Sequence, residues 1–168
     1  NTISSIKGIT KINIGNHEDE SSEGYSSYLS AFGLSKPYYA FTWNGGTSSA
    51  TKIIVMDSDH DSYASGSSQY NFVVSELQKT GYKWKIVYDH KQFYTSPNTC
   101  SSSSCSNTGS DATNLRNTYE KLFETYGVDL VLNGHVHNYQ RTYPIRYDSS
   151  SPSSPIITST GSTDYTDP

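Results

Sequence analysis

The sequence predicts a layered α/β domain in which strands alternate with helices. Short apolar runs recur along the chain, segments with apolar residues at helical spacing lie between them, and glycine or polar residues follow most runs. At 168 residues the chain is one domain's worth, and a domain near this size buries roughly 68 to 70% of its unfolded surface. We therefore expect one domain over residues 1–168, with polar residues from several strand ends gathered in one cleft.

In the first half of the chain, strands are predicted at Ile12–Ile14, Tyr38–Trp43 and Lys52–Asp57, and helices at Gly24–Phe32 and Gly66–Thr80. The two later strands form a hairpin with a long Gly, Thr and Ser-rich loop. The aromatic residues of the first helix are expected to be core. Gly81 follows the second helix as a stop signal.

In the second half, strands are predicted at Trp84–Tyr88, Leu130–Leu132 and Ile156–Thr158, and a helix at Asp111–Tyr126. The helix carries apolar residues at helical spacing and is followed by Gly127, which is typical of a helix end. The glycine after Leu130–Leu132 allows a sharp turn directly after the strand.

Composition indicates an extracellular, cell-surface or periplasmic protein. Apolar residues make up 33% of the chain, which has 15 Tyr and only 12 Lys plus Arg. The formal net charge is −4 and no basic cluster is present, so a nucleic-acid partner is not expected. No apolar run reaches the roughly 18 residues of a membrane-spanning helix, so no transmembrane segment is expected.

Two cysteines, Cys100 and Cys105, bracket four serines. A disulfide between them would stabilise the fold by roughly 2 kcal/mol and would suit an oxidising compartment. The alternative is a zinc-binding pair, but no second cysteine or histidine pair accompanies it. We expect the disulfide.

Asp57, Asp59 and Asp61 alternate in the way that a calcium-binding loop begins. However, Ser62 stands where such a loop needs glycine, and Ser68 where it needs glutamate. A solvated acidic turn is therefore the favoured interpretation, with a calcium site as the alternative.

Histidines follow the predicted strands unusually often. Four of the five histidines, His17, His90, His135 and His137, come directly after predicted strands. Imidazole is the commonest metal ligand, and the strand ends would bring these rings together. Surface or core histidines would not be expected to favour strand ends so consistently, so the pattern predicts a metal site.

Three motifs then carry a family resemblance. Gly15–Glu18 (GNHE), His90 in the stretch IVYDHKQFY, and Gly134–His137 (GHVH) followed by NYQRTYP resemble the last three metal motifs of calcineurin-like metallophosphoesterases. The match is closest to the purple acid phosphatase branch. The resemblance implies a layered sandwich of two mixed β-sheets flanked by helices.

The resemblance also implies the site. Asn16, His90 and His135 would bind one metal and His137 the other, while His17 would contact the substrate phosphate or assist the leaving group. The metals would be iron with zinc or manganese, or a similar divalent or trivalent pair. Such a pair, roughly 3.5 to 4 Å apart, hydrolyses phosphate esters through a metal-bridging hydroxide.

The sequence departs from the family pattern in three places. Neither of the family's two upstream aspartate motifs occurs before Asn16, and the family's closing glycine-rich strand is absent. We therefore expect a partial domain, truncated at both ends, whose upstream segment is a possible partner and which alone is weak or inactive. The histidines that hold phosphate in many members are also absent, which leaves Arg116 and Arg141 as substitutes or as structural residues. A non-catalytic extracellular binding or assembly module is the alternative function.

Overall fold

The computed structural model describes residues 8–18, 24–95, 106, 109–151, 154–158 and 160. Within these residues the chain forms three helices and six strands. In chain order they are α1 (Gly24–Phe32), β1 (Tyr39–Trp43), β2 (Thr51–Val55), α2 (Ser68–Leu77), β3 (Trp84–Tyr88), α3 (Ser110–Thr125), β4 (Leu130–Leu132), β5 (Ile145–Arg146) and β6 (Ile156–Ile157). None of the helices in this part of the chain is long and apolar enough to cross a membrane.

The first four strands form one mixed sheet in the order β1-β2-β3-β4. β1 pairs with β2 in the antiparallel direction, whereas β2, β3 and β4 run parallel to one another. The helical crossovers that parallel strands require are α2, between β2 and β3, and α3, between β3 and β4. β5 and β6 form a separate antiparallel pair of two residues each. The predicted α/β class is confirmed, with a mixed sheet flanked by helices.

The two crossover helices cover one face of this sheet. The core lies between them and the sheet, and its buried side chains are Ile54, Met56, Val73, Leu77, Val87, Phe93, Leu115, Tyr119 and Phe123. The opposite face leaves apolar side chains exposed: Trp43 is 67% exposed, Trp84 47% and Leu132 48%. The core is therefore built on one side of the sheet.

A charged pair joins the sheet to α2 on the covered face. Lys52 in β2 forms an ion pair with Glu76 in α2, and their side chains are only 6% and 11% exposed. Lys79, just past the end of α2, lies 2.5 Å from the other carboxylate oxygen of Glu76. Glu76 therefore holds two ammonium groups, one of them almost out of solvent.

Two local predictions near the start of the chain were wrong. Ile12–Ile14 is not a strand, because side chains rather than a backbone ladder attach it: the Asn13 amide donates to Met56 O at 2.8 Å, and the Tyr39 hydroxyl donates to Ile12 O at 2.6 Å. The aromatic residues of α1 are only partly buried, and Leu29 is its one buried residue.

The acidic turn after β2 is buried rather than solvated. Asp57 is fully buried and Asp59 has a side chain that is 3% exposed. The Asp57 carboxylate accepts hydrogen bonds from the backbone N–H groups of Asp59, His60 and Asp61. Because those oxygens are used by the backbone, they organise the turn instead of binding calcium.

Candidate metal centre

Three donor side chains meet at the carboxyl edge of the parallel strands. Asn16 lies in a turn near the start of the described chain, His90 is two residues past β3, and His135 is three residues past β4. β3 and β4 are parallel neighbours, so their carboxyl ends lie side by side. The Asn13 amide ties the first segment to the end of β2 through Met56. The sheet thus brings three distant segments to one edge.

The donor atoms form a compact triangle. His90 Nε2 lies 2.7 Å from Asn16 Oδ1, and His135 Nδ1 lies 3.2 Å from the same oxygen. The third side, between His135 Nδ1 and His90 Nε2, is 3.1 Å. The two imidazole rings meet edge to face, at an interplanar angle of 82°. Each side chain therefore directs one donor atom towards a common point.

The triangle has the dimensions of one face of a metal coordination shell. Nitrogen lies about 2.0 to 2.1 Å from zinc-type cations, so donors at octahedral or tetrahedral angles are about 2.9 to 3.4 Å apart. The observed sides of 3.1 and 3.2 Å fall in this range, and the third side, 2.7 Å, is slightly shorter. Within the described residues, no group of three His, Cys, Asp or Glu side chains could hold a metal. The triangle instead combines two imidazole nitrogens with the amide oxygen of Asn16.

Backbone geometry next to the donors makes this close approach possible. A Cβ atom on Gly15 would lie 2.8 to 2.9 Å from the His90 ring, so only glycine lets the ring pack there. His135 has a φ of 63°, in the left-handed region that costs a histidine on the order of 1 kcal/mol. Its Nε2 is buried without a hydrogen-bond partner among the described residues, so its polar contacts here are through Nδ1.

Burial favours the neutral form of both donor imidazoles. It lowers the pKa of His90 below the usual value, although the charge of Asp59 acts in the opposite direction and His135 reinforces the shift. Burial likewise lowers the pKa of His135, again against the attraction of Asp59. A neutral imidazole can offer a lone pair to a metal ion, whereas imidazolium cannot.

A second group of polar residues holds the two histidine loops together. Asn133 donates to the Asp89 carboxylate and, at 3.1 Å, to Lys91 O, so the loops after β3 and β4 are cross-linked. Burial raises the pKa of Asp89 well above its usual value. Lys91 Nζ lies 3.0 Å from both Asp59 and Asp111. These contacts brace the backbone on either side of His90.

Several predicted site residues lie outside the triangle. His17, His137 and Arg141 have exposed side chains. Their predicted roles at a second metal and at the substrate remain predictions. The cysteines of the predicted disulfide, Cys100 and Cys105, are outside the described residues.

Arg116 lies in the interior instead of at the site. It is 1% exposed, donates to the backbone oxygen of Phe93, and places its guanidinium 5.0 Å from the ring centroid of Tyr94. The Tyr94 hydroxyl in turn hydrogen-bonds to Glu120 on the next turn of α3. This burial favours the structural role that was the alternative, and the substrate-binding role of Arg116 stays a prediction.

Sequence reasoning missed His60 as part of this region. Its Nε2 lies 2.8 Å from Gly15 O, next to Asn16. His60 comes only three residues after Asp57, the predicted end of a strand, so the strand-end argument could have included it. The acidic residues around His60 form a pattern that is typical of a calcium-binding loop, and His60 was therefore not considered as part of the site.

Comparison with known proteins identifies the sequence family. The model of the calcineurin-like phosphoesterase family matches residues 7–139. Fe(3+)-Zn(2+) purple acid phosphatase 12 of Arabidopsis thaliana is 36% identical over 96 residues, which cover 55% of this chain and 19% of that protein. Probable inactive purple acid phosphatase 24 of the same plant is 36% identical over 105 residues, or 58% of this chain and 16% of that protein.

A solved structure supports the fold. A purple acid phosphatase isolated from yellow lupin (Lupinus luteus) seeds superimposes with a TM-score of 0.59 at 22% identity. The match covers 79% of this chain and 25% of the lupin chain. The chain thus spans a quarter or less of each of these three proteins.

Proposed function

Because the chain belongs to the calcineurin-like phosphoesterase family, we propose that it supplies Asn and His ligands to a binuclear metal site that hydrolyses phosphate esters. The observation that carries this proposal is the donor triangle of Asn16, His90 and His135. His137 is the proposed ligand of the second metal. The residues of this chain and its likeness to purple acid phosphatases support iron with zinc or manganese as the metals.

The chain's own side chains have three tasks in the proposed reaction. Asn16, His90 and His135 hold a cation with neutral donors, so its positive charge is kept for the phosphate. When bound, the metal pair supplies Lewis-acid activation of water and offsets the charge of the reacting phosphate. The proposed role of His17, which is exposed and follows Asn16 in the chain, is to donate a ring N–H to a phosphate oxygen or a proton to the leaving group. The Arg141 guanidinium is the remaining proposed contact for the phosphate.

Removal of one donor tests the proposal. His135→Ala deletes Nδ1 from the triangle, so we expect loss of bound metal and of nitrophenyl phosphate hydrolysis in the full chain. Metal content is measured by elemental analysis, and hydrolysis by release of nitrophenolate. Arg146→Ala is the control, because Arg146 forms an ion pair with the exposed Glu124. Arg146 is neither a proposed metal ligand nor a proposed phosphate contact. Unchanged metal content in His135→Ala would contradict the ligand assignment.

A second candidate function is a non-catalytic extracellular binding or assembly module. Relatives that are called probable inactive purple acid phosphatases, such as the one described above, favour it. The two candidate functions make different predictions about the upstream aspartate motifs in the full-length protein. The enzyme needs these motifs as anionic metal ligands, whereas the non-catalytic module does not. Metal-dependent hydrolysis by the full-length protein, with less by residues 1–168 alone, would support the enzyme.

A location outside the cytoplasm is part of the same proposal. It is supported by the polar, Tyr-rich composition and by the presence of two closely spaced cysteines, Cys100 and Cys105. Mass spectrometry of the non-reduced protein tests it, because a Cys100–Cys105 disulfide lowers the mass of their peptide by two hydrogens.

A further inference from the structure

His60 has no role in the proposed site, yet it contacts the peptide that carries Asn16. Its Nε2 lies 2.8 Å from Gly15 O. A carbonyl oxygen only accepts hydrogen bonds, so Nε2 bears the proton and donates it. That oxygen belongs to the peptide bond between Gly15 and Asn16. His60 therefore holds the peptide plane directly before a donor residue.

Gly15 is fixed from two further directions. Its N–H donates to Glu18 Oε2 at 2.5 Å, and the His90 ring packs against its Cα. With both polar groups of Gly15 bonded and one face covered, the backbone has little freedom to rotate. The direction in which the Asn16 side chain leaves the backbone is set by these contacts.

His60 is itself held by buried groups. Its N–H lies 3.1 and 3.2 Å from the two carboxylate oxygens of Asp57. Asp57 is fixed in turn by Gln69 of α2, which accepts from Asp57 N–H at 2.6 Å and donates to Asp57 O at 2.9 Å. The His60 ring stacks on Tyr25 of α1, with centroids 4.6 Å apart. A continuous set of contacts thus runs from two helices to Gly15.

We infer that His60 is a positioning residue for the metal centre: by holding Gly15 O, it keeps Asn16 Oδ1 within coordinating distance of His90 and His135. The inference rests on the metal site proposed above and concerns a residue that is not a ligand. Contacts of this kind, one step behind the ligands, typically change metal affinity by about 10- to 100-fold.

Two variants separate the hydrogen bond from the stacking. His60→Phe keeps a flat ring against Tyr25 and removes the side-chain donor to Gly15 O. The backbone N–H of Glu18, which also donates to this oxygen at 3.4 Å, is unchanged. His60→Gln removes the ring and keeps an N–H donor that can reach Gly15 O. Zn²⁺ affinity is measured on the metal-free full chain by competition with a chromogenic chelator, and the Tm of the metal-free chain is measured alongside.

We expect His60→Phe to weaken Zn²⁺ binding by about 10- to 100-fold, with a metal-free Tm close to that of the wild type. His60→Gln is expected to recover most of the affinity. Wild-type affinity in His60→Phe would overturn the inference, and so would a lower Tm with unchanged affinity, which is the mark of a purely structural residue. If His60→Phe does not fold, His60→Asn replaces it, because its amide is too short to reach Gly15 O.

The wild type and His135→Ala distinguish this failure from that of the proposed function. If the wild type binds Zn²⁺ no better than His135→Ala, the metal site itself is wrong and the role of His60 is overturned with it. If the wild type binds Zn²⁺ and His60→Phe binds it equally well, the site stands and only the role of His60 is overturned.

Discussion

At the scale of single residues, Gly15 is as important to the donor triangle as the three donor residues themselves. The His90 ring occupies the space in which any other residue would place its Cβ. Gly134 is also near this ring but has more room: its added Cβ would lie 3.5 Å from His90 Nδ1, an ordinary contact. A larger residue therefore clashes with the His90 ring at position 15 but fits at position 134.

We expect Gly15→Ala to displace the His90 ring and to weaken metal binding by about tenfold or more, the size of effect seen when ligand orientation is lost. Gly134→Ala is the matched control and should keep most of the affinity. Isothermal titration calorimetry with Zn²⁺ measures both. Equal affinities in the two variants would show that the ring has room to move without loss.

Substitutions of Arg116 and of Arg141 should have opposite effects on stability and on phosphate binding. Arg116→Met leaves Phe93 O without its buried donor, so we expect a loss of about 1 to 3 kcal/mol in unfolding free energy and an unchanged affinity for inorganic phosphate. Arg141→Ala, at an exposed position, should leave stability unchanged and weaken phosphate binding. Urea unfolding and phosphate titration measure the two quantities. If Arg116→Met binds phosphate more weakly but is not destabilised, the result would support a substrate-binding role for Arg116.

At the scale of elements, Glu76 links β2 and α2 and makes that contact dependent on pH. Burial opposes ionisation of Glu76, but Lys52 and Lys79 together outweigh it and hold the pKa of the carboxyl below its usual value. A lowered folded pKa adds stability above the unfolded pKa, about 4.3, and this stability is lost as the pH falls through the folded pKa.

Glu76→Gln should therefore destabilise the fold by about 3 kcal/mol at neutral pH, because it leaves the buried Lys52 without its partner. The difference from the wild type should shrink as the pH falls below about 4. Urea unfolding at several pH values measures it. A Lys52→Met, Glu76→Leu double variant is the control and should stay near wild-type stability at neutral pH. A difference that is constant with pH would mean that the charge of Glu76 is not the cause.

Elements also show what periodicity can and cannot predict. The bounds of α1, β3 and β4 match the predicted Gly24–Phe32, Trp84–Tyr88 and Leu130–Leu132, because the apolar spacing ends where polar or glycine residues begin. The buried face of α3 includes Arg116 and Glu120 beside Leu115 and Tyr119. The spacing of the apolar residues predicts the helix correctly, but it does not predict that Arg116 and Glu120 lie on the buried face.

At the scale of the whole molecule, the donor triangle links the segment around Asn16, which lies outside the sheet, to the loops after the paired strands β3 and β4. A ligand that binds only the folded state stabilises it by about 2.7 kcal/mol at a concentration one hundred times its Kd. For a chain of this size that corresponds to a rise in Tm of about 5 to 10 °C.

We expect Zn²⁺ to raise the Tm of the wild type by this amount, a chelator to reverse the rise, and His135→Ala to show none. Differential scanning calorimetry measures all three. A rise of the same size in His135→Ala would place the metal elsewhere on the chain.

The sequence allowed the donor triangle to be predicted, because parallel strands open at one edge and the family motifs lie at those strand ends. It did not allow the contact between His60 and Gly15 to be predicted. Those residues are 45 positions apart, and their contact depends on the buried turn around Asp57, which composition presented as a solvated acidic loop.

The separation of the donors along the chain has a consequence for the order of folding. His90 and His135 are 45 positions apart, Asn16 and His90 are 74 apart, and Asn16 and His135 are 119 apart. Contacts of such long range form after local ones, since each requires a large loop to be closed first. The triangle is therefore complete only when β3 and β4 have paired and the first segment has docked. A bound metal should accordingly slow unfolding much more than it accelerates folding.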